Sequence, residues 1–272
     1  MDVLRGKNAI IYGAGGSLGS TIAKAFAQAG AMVFLTGHNI DAVKKVAKDI
    51  IDRGGAAEAD RVDALDEKEI SDHIQKVVDV AGSIDIVYNA IDLKVVQGMP
   101  LVDMTVDDFT RPVNIAMRTH FLTATSAAKV MIKQKSGVIL SLTATPGGIG
   151  YPHTAGFAPA CSAIESFSRN LAIELGHYGI RVVNMRSAGS PDSTVFKEAI
   201  EHDPELMEGV IKQMEADTML KKLPLMADIA NVAVFLSSDL AGKITGVTVD
   251  VTCGTTAGLN YRVPSQPRPN KI

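Results

Sequence analysis

The chain has 272 residues and a net charge of −3, and it is 46% hydrophobic and 21% charged. This balance is typical of a globular protein with a full core, and the mixed acids and bases give no basic surface for nucleic acid. No apolar run reaches the roughly 18 residues of a membrane span, and two cysteines, Cys161 and Cys253, are too few for a disulfide framework or a cysteine-based zinc site. We therefore expect a cytoplasmic protein that binds a small molecule, with no nucleic-acid, membrane or metal partner.

Short β-branched runs alternate with helical patterns in the first third of the chain. NAIIYGAG predicts a buried strand, and a helix follows from about Ser20 to Ala29. AMVFLTG is the second strand, and Asp41 is the expected N-cap of a helix that runs to Arg53. AAEADRV is the third strand, a helix follows near 67–81, and IDIVYNA is the fourth strand.

The same alternation continues to the end of the chain. A long helix over about 107–134 leads into the strand GVILSLT, and a helix over 158–176 precedes the strand IRVVNMR. The segment 191–222 is polar, helical in pattern and rich in methionine. A helix over 227–238 and the strand GVTVDVT follow, and the tail YRVPSQPRPNKI is expected to be loose because it is rich in proline.

Repeated βα units predict an α/β fold, a Rossmann-like doubly wound parallel sheet with helices on both faces. We expect a single domain over residues 1–258, with a substrate lid at about 190–222 and a C-terminal tail over 259–272. In such a sheet, ligands bind at the carboxyl ends of the strands.

A glycine-rich loop separates the first strand from the first helix in IIYGAGGSLGSTIAKAF. Glycines there permit a tight turn and let backbone N–H groups approach a pyrophosphate at the helix N-terminus. The strict G-x-G-x-x-G spacing fails at Leu18, whereas the spacing G-x-x-x-G-x-G keeps Gly13 and Gly19 with Ser17 in the middle place. The loop predicts nucleotide binding; the alternative is a tight turn without a ligand.

These segments together resemble the short-chain dehydrogenase/reductase family from Lys7 to about Gly258. YGAGGSLG occupies the position of that family's glycine loop. Asp63 in RVDALD matches the aspartate that binds the adenine amino group in the family. YNAI occupies the position of the family's Asn-Asn-Ala-Gly segment. ADIANVAVFLSSDLAGKITGVTVDVTCG is similar to the closing helix and strand of the family. The resemblance implies a nicotinamide cofactor held by Gly13, Gly16, Ser17, Leu18, Gly19, His38, Val62, Asp63, Asn89, Ala90 and Gly189.

The end of the second strand bears on which nicotinamide cofactor is preferred. A carboxylate there would bind the ribose 2′-hydroxyl of NAD and repel a 2′-phosphate. That place is Gly37, followed by His38 and Asn39, and His38 stands where NADP-preferring relatives often have arginine. We expect NADP(H) to be favoured over NAD(H); the alternative is that His38 is a solvated loop residue.

The four catalytic positions of the family, Asn, Ser, Tyr and Lys, align with Ala116, Ala144, Phe157 and Cys161. In the family, the tyrosine exchanges a proton with the substrate oxygen and the lysine lowers the tyrosine pKa. Phenylalanine has no proton to give, and cysteine has no fixed positive charge. The resemblance therefore predicts that alcohol–ketone interconversion by the usual Tyr–Lys mechanism does not occur here.

Several residues are candidates to replace the missing acid. Tyr151 lies in the loop TPGGIGYPHTAG, and Thr143 and Thr145 flank Ala144. Cys161 would act as a nucleophile only with a base nearby, and the alternative is a buried space-filling thiol.

Histidines 73, 120, 177 and 202 show no metal-ligand spacing and are interpreted as surface or packing residues. Methionines of the lid line an apolar pocket or pack on the sheet: Met207, Met214 and Met219.

Three functions remain open on these observations. The first is an NADP(H)-dependent reductase that acts on an already electrophilic small molecule, such as an iminium, without the usual acid. The second is a non-redox cyclase or isomerase, and the third is a pseudoenzyme that senses the cofactor or serves as a partner subunit. The resemblance also implies a homo-oligomer, a dimer or a tetramer, built through the two long helices and the last strand.

Overall fold

The computed structural model describes residues 2–257, so the expectations for residue 258 and the tail 259–272 lie outside the described residues. Seven parallel strands form one sheet in the order β3-β2-β1-β4-β5-β6-β7. The strands are β1 (Asn8–Tyr12), β2 (Met32–Gly37), β3 (Ala56–Arg61), β4 (Ile86–Asn89), β5 (Gly137–Ala144), β6 (Ile180–Ser187) and β7 (Thr248–Val251). The α-helices are α1 (Ser17–Gln28), α2 (Ile40–Asp52), α3 (Glu67–Ala81), α4 (Val106–Gln134), α5 (Phe157–Leu175), α6 (Thr194–His202), α7 (Pro204–Asp217) and α8 (Met226–Ser237).

Helices cover both faces of the sheet, because successive side chains of a strand point to opposite faces. In β1, Ala9 and Ile11 pack with the apolar sides of α1, α2 and α8. Ile10 and Tyr12 pack on the other face with α3, α4 and α5. Both faces are buried, which explains the continuous apolar run of the strand. The predicted doubly wound α/β fold is confirmed.

Helix α2 differs from its predicted start. Its N-cap is Asn39, whose side-chain oxygen accepts a hydrogen bond from the backbone N–H of Ala42 at 3.2 Å. Asp41, the expected cap, lies inside the first turn, where its charge suits the positive end of the helix. The expectation for Asp41 was wrong because two neighbouring residues both suit a cap and only the backbone geometry chooses between them.

The strand order reverses between β1 and β4. From β1 the chain moves outward to β2 and β3, and it then returns to place β4 on the other side of β1. The loops that leave β1 and β4 therefore diverge at the carboxyl edge of the sheet and open a crevice between them. The glycine loop and the segment after Asn89 form the two sides of this crevice.

The longest of the described helices is α4, with 29 residues, and it carries acidic side chains in its first turn and a basic one in its last. Within residues 2–257, no helix combines the length and the apolar character that a bilayer crossing requires. Over the same range, no three His, Cys, Asp or Glu side chains are grouped in a way that could hold a metal ion.

Candidate functional site

The glycine loop packs so closely, both against the residue after β4 and against itself, that side chains are excluded at two of its positions. Gly13 has a φ of +80°, and a Cβ there would lie 2.5 Å from the carbonyl oxygen of Ala90. A Cβ on Gly19 would lie 2.4 Å from the carbonyl oxygen of Gly13. The N-cap of α1 is Gly16, with no side-chain hydrogen bond to the helix and no acidic residue in the first turn. The positive end of α1 is thus open to an anion.

Replacing Gly19 with alanine is expected to lower the free energy of unfolding by about 1–3 kcal/mol, because the new methyl group must push the loop backbone away. The same displacement is expected to abolish nucleotide binding. Gly209 in α7 is the matched control, since nothing lies within 4 Å of a Cβ there. Gly209→Ala should stabilise its helix by up to about 1 kcal/mol. Urea denaturation measures both variants, and equal midpoints for the two would contradict the close packing.

A first cavity, the β2-side cavity, opens beside the glycine loop and has a volume of about 350 Å³. His38 and Asp63 face each other on its wall, with His38 Nε2 3.2 Å from Asp63 Oδ1. Asp63 also accepts a hydrogen bond from the backbone N–H of Leu65 at 2.8 Å. Six residues predicted to bind the cofactor line this cavity: Gly13, Gly16, His38, Val62, Asp63 and Ala90.

A second cavity, the β5-side cavity, continues across the crevice with a volume of about 560 Å³, a size typical of small-molecule sites. Both cavities are lined by Ala90, Ile91 and Asp92, so they adjoin at the segment after β4. Five of the predicted site residues line the β5-side cavity without lining the first: Leu18, Asn89, Ala144, Phe157 and Cys161.

Three of the four positions predicted to align with the family's catalytic residues lie at the β5-side cavity, and the fourth packs behind one of them. Ala144, Phe157 and Cys161 line it directly. Ala116 is fully buried in a small apolar cluster against which Phe157 packs. The assignment of these residues to the catalytic positions of the family stays a prediction, and their proximity is what that prediction requires.

The four candidates for a replacement acid lie in different environments. Thr143 lines the β5-side cavity, but its hydroxyl already donates to a buried carboxylate at 2.9 Å. Tyr151 is 41% exposed, and it is not among the residues that line either cavity. Thr145 is buried and donates its hydroxyl to the carbonyl oxygen of Ser187 at 3.3 Å. Cys161 lines the β5-side cavity, but burial raises the pKa of its thiol to about 11, so the sulfur is protonated at neutral pH. A threonine hydroxyl is not acidic near neutral pH, so none of the four presents a proton-transfer group that is both in the cavity and active in that range.

Two further predicted cofactor residues, Ser17 and Gly189, contact the segment 190–222 that was predicted to be a substrate lid. Ser17 Oγ lies 3.5 Å from the backbone N–H of Thr194, at the start of α6. Gly189 is covered by the lid, since a Cβ there would lie 2.6 Å from Phe196 and 2.7 Å from Met214.

Some apolar side chains of the predicted lid, residues 190–222, line the β5-side cavity and others are exposed to solvent. Val195 lines the β5-side cavity, whereas Met219 is 57% exposed. Met214 packs on the loop at Gly189. The two alternatives were that the lid methionines line an apolar pocket or that they pack on the sheet. None of the three methionines is among the residues that line the β5-side cavity, and Met219 is too exposed to be a packed residue.

His120 lines a cavity, although the sequence interpretation treated it as a surface or packing residue. It lies one helical turn after Ala116 in α4 and lines the β5-side cavity. Its Nδ1 donates to the carbonyl oxygen of Ala116 at 2.9 Å, and burial lowers the pKa of the ring to about 4. The imidazole is therefore neutral at physiological pH. The i, i+4 spacing from Ala116 was the available signal, because residues so spaced share a helix face.

A buried ion pair lies beside this cavity and was not predicted. Arg186 of β6 donates to both carboxylate oxygens of Glu165 in α5, at 3.0 Å and 2.6 Å, and to Asp250 of β7 at 3.0 Å. Thr143 of β5 donates its hydroxyl to the same glutamate at 2.9 Å. The group joins three strands to α5, the helix that carries Phe157 and Cys161.

Comparisons with known proteins agree over nearly the whole chain. A family model described as enoyl-(acyl carrier protein) reductase, of the short-chain alcohol dehydrogenase type, matches residues 13–256. A 7alpha-hydroxysteroid dehydrogenase of Escherichia coli is 32% identical over 257 residues, covering 94% of this chain and 97% of its own length. The crystal structure of sorbitol-6-phosphate 2-dehydrogenase from Erwinia amylovora matches with a TM-score of 0.84 at 26% identity, covering 91% of this chain and 98% of that one. An NAD⁺-bound xylitol dehydrogenase has the same fold, with a TM-score of 0.83 at 24% identity over 91% of this chain and 98% of that one.

Proposed function

The chain belongs to the short-chain dehydrogenase/reductase family of oxidoreductases, and from this premise we propose that it is an NADP(H)-dependent reductase acting on an already electrophilic small molecule. The observation that carries the proposal is the chemistry of the β5-side cavity. A raised thiol pKa at Cys161 and a lowered imidazole pKa at His120 leave no poised acid there. A substrate that needs hydride but no proton from the protein suits such a site.

The residues of the β2-side cavity fit a dinucleotide. The close packing at Gly13 and Gly19 keeps the loop backbone free of side chains, and the uncapped N-terminus of α1 favours a pyrophosphate. Asp63 lines this cavity and is suited to accept a hydrogen bond from the adenine amino group. When bound, the reduced nicotinamide supplies a hydride. The xylitol dehydrogenase of the same fold is NAD⁺-bound, and this supports a nicotinamide cofactor for the present chain.

The end of β2 supports the phosphorylated cofactor. No carboxylate stands at Gly37, and the following residue, His38, can donate a hydrogen bond to a 2′-phosphate. His38 contacts Asp63 across 3.2 Å, but the side chains are 64% and 30% exposed. Exposed pairs contribute little, so a bound phosphate can displace the contact at small cost.

Replacing His38 with aspartate is expected to lower the NADPH-to-NADH affinity ratio by about tenfold or more, because the carboxylate repels the 2′-phosphate and accepts the ribose hydroxyl. The matched control is His38→Asn, which has the size of aspartate without its charge and should change the ratio much less. Calorimetric titration of each variant with both reduced nucleotides measures the ratio. An unchanged ratio in His38→Asp would show that this residue does not face the 2′ position.

Titration of the wild-type protein with all four nicotinamide nucleotides tests the proposal as a whole. Preferential binding of the phosphorylated forms is the expected result, followed by loss of the reduced nicotinamide absorbance with a cyclic iminium and not with a ketone panel. Absence of binding by every form would overturn the reductase. Product formation without cofactor consumption would point to the non-redox alternative, and binding without any turnover would point to a cofactor sensor.

A further inference from the structure

The β5-side cavity has an unusual balance of charge for a site expected to handle polar reactants. Its lining is mainly apolar, with side chains such as Leu142, Phe157 and Ile164. Among its described lining residues, no lysine or arginine occurs, and Asp92 is the one residue with a full charge near neutral pH. A mainly apolar cavity whose one charged lining residue is a carboxylate, here 69% exposed at the cavity edge, favours a cation over an anion.

The cations that lie nearby do not reverse this balance. Arg186 is bound by two carboxylates, those of Glu165 and Asp250, so that group carries a net charge of −1. Lys94 Nζ lies 2.8 Å from Asp92 Oδ2, but the two side chains are 68% and 69% exposed, and such pairs exchange easily with solvent. Lys94 lines the β2-side cavity and not the β5-side cavity, so it faces the side where the cofactor phosphates would bind.

Asp92 remains ionised in this position. Burial alone would raise the pKa of its carboxyl, but the hydrogen bonds and the charge of Lys94 hold that pKa below its ordinary value. The backbone supports the arrangement, because the N–H of Lys94 donates to Asp92 Oδ1 at 3.1 Å. This backbone contact places the carboxylate at the segment where the two cavities adjoin, while its pair with Lys94 can still exchange.

Phe157 supplies a second feature that suits a cation. Its ring lines the β5-side cavity and packs against the cluster around Ala116 and Ile164, which holds it at the cavity wall. The face of an aromatic ring attracts a cation, and the attraction strengthens as water is excluded. Cys161, one turn further along α5, contributes a neutral thiol and no competing positive charge.

We propose that the substrate of the β5-side cavity is a small, largely apolar organic cation, such as a cyclic iminium or a protonated amine, recognised by the Asp92 carboxylate and the Phe157 ring. The proposal names the substrate class of the reductase proposed above and rests on it for the reaction, but the charge preference of the cavity is measurable without turnover. Anionic substrates such as carboxylates and phosphate esters are disfavoured by the same arrangement.

Calorimetric titration of the full-length protein with benzyltrimethylammonium and phenylacetate tests the preference. We expect the cation to bind about tenfold more tightly than the anion at low ionic strength, with the difference reduced by added salt. Asp92→Asn should weaken cation binding about fivefold, and Phe157→Leu about threefold. Neither variant should weaken binding of the neutral benzyl alcohol as much. Asp103→Asn, a carboxylate outside the cavity, is the matched control and should leave both affinities unchanged.

The outcomes separate this inference from the proposed function. Equal binding of cation and anion, or tighter binding of phenylacetate, would overturn the substrate class even if NADPH binds well. A cation preference that Asp92→Asn leaves intact would overturn the role of Asp92. Tight cation binding in a protein that binds no nicotinamide nucleotide would overturn the reductase and leave the ligand class standing. Should Phe157→Leu fail to fold, Gln97→Glu gives a further test, because a second carboxylate on the wall should strengthen cation binding.

Discussion

Replacing Arg186 with methionine is expected to lower the free energy of unfolding by about 3–5 kcal/mol, because the buried Glu165 carboxylate loses the charge that compensates it. Glu165 is 5% exposed, and Arg186 provides both of its charged hydrogen bonds. Thr143 then remains as its single side-chain donor. A buried carboxylate without a cation partner must take up a proton or draw in water, and either change destabilises the folded state.

Two control variants separate the ion pair from the loss of packing. Replacing both Glu165 and Arg186 with methionine removes the charges together and should cost much less than Arg186→Met alone. Asp250→Asn removes the more exposed partner, at 34%, and should cost about 1 kcal/mol or less. Denaturant unfolding measures all three variants. If the single and double variants have equal stability, the buried pair contributes nothing beyond its volume.

Installing the family's catalytic set at the four aligned positions is expected to create ketone reductase activity. The variant carries Ala116→Asn, Ala144→Ser, Phe157→Tyr and Cys161→Lys. A positioned general acid accelerates such reactions by about 10²–10⁴-fold, so that increase over wild type is the expected scale. Reduction of cyclohexanone, followed by loss of the reduced nicotinamide absorbance, measures the gain.

The restored set must fit into a tightly packed region. Ala116 and Cys161 are 0% and 1% exposed, so asparagine and lysine require the neighbouring side chains to move. Circular dichroism and the unfolding midpoint therefore accompany the assay. The control keeps Phe157 and carries the other three substitutions; it has no phenolic proton and should remain inactive. A folded quadruple variant that reduces no ketone would show that the four positions lack the catalytic geometry.

The order of the secondary structure elements was predictable from the sequence because each has a strong local pattern. The predicted helix over 67–81 matches α3 at both ends, and its acidic N-cap, Asp66, caps the backbone N–H of Glu69 at 2.9 Å. Helix α1 begins at Ser17 and not near Ser20, because its first turn lies within the glycine loop and lacks an apolar pattern. Boundaries of this kind depend on backbone geometry more than on composition.

The sequence by itself determined the alternation of strands and helices and the glycine loop, because periodicity and motif spacing are local properties of the chain. The family followed from the resemblance of its segments to known motifs. Only the tertiary structure decided which distant side chains meet. Glu165 and Arg186 pair across α5 and β6, and His120 is turned into the β5-side cavity and made neutral by burial. Contacts, burial and pKa values depend on how elements pack, and no local pattern in the sequence specifies that packing. The charge of the cavity, on which the proposed substrate depends, is therefore a property of the folded chain.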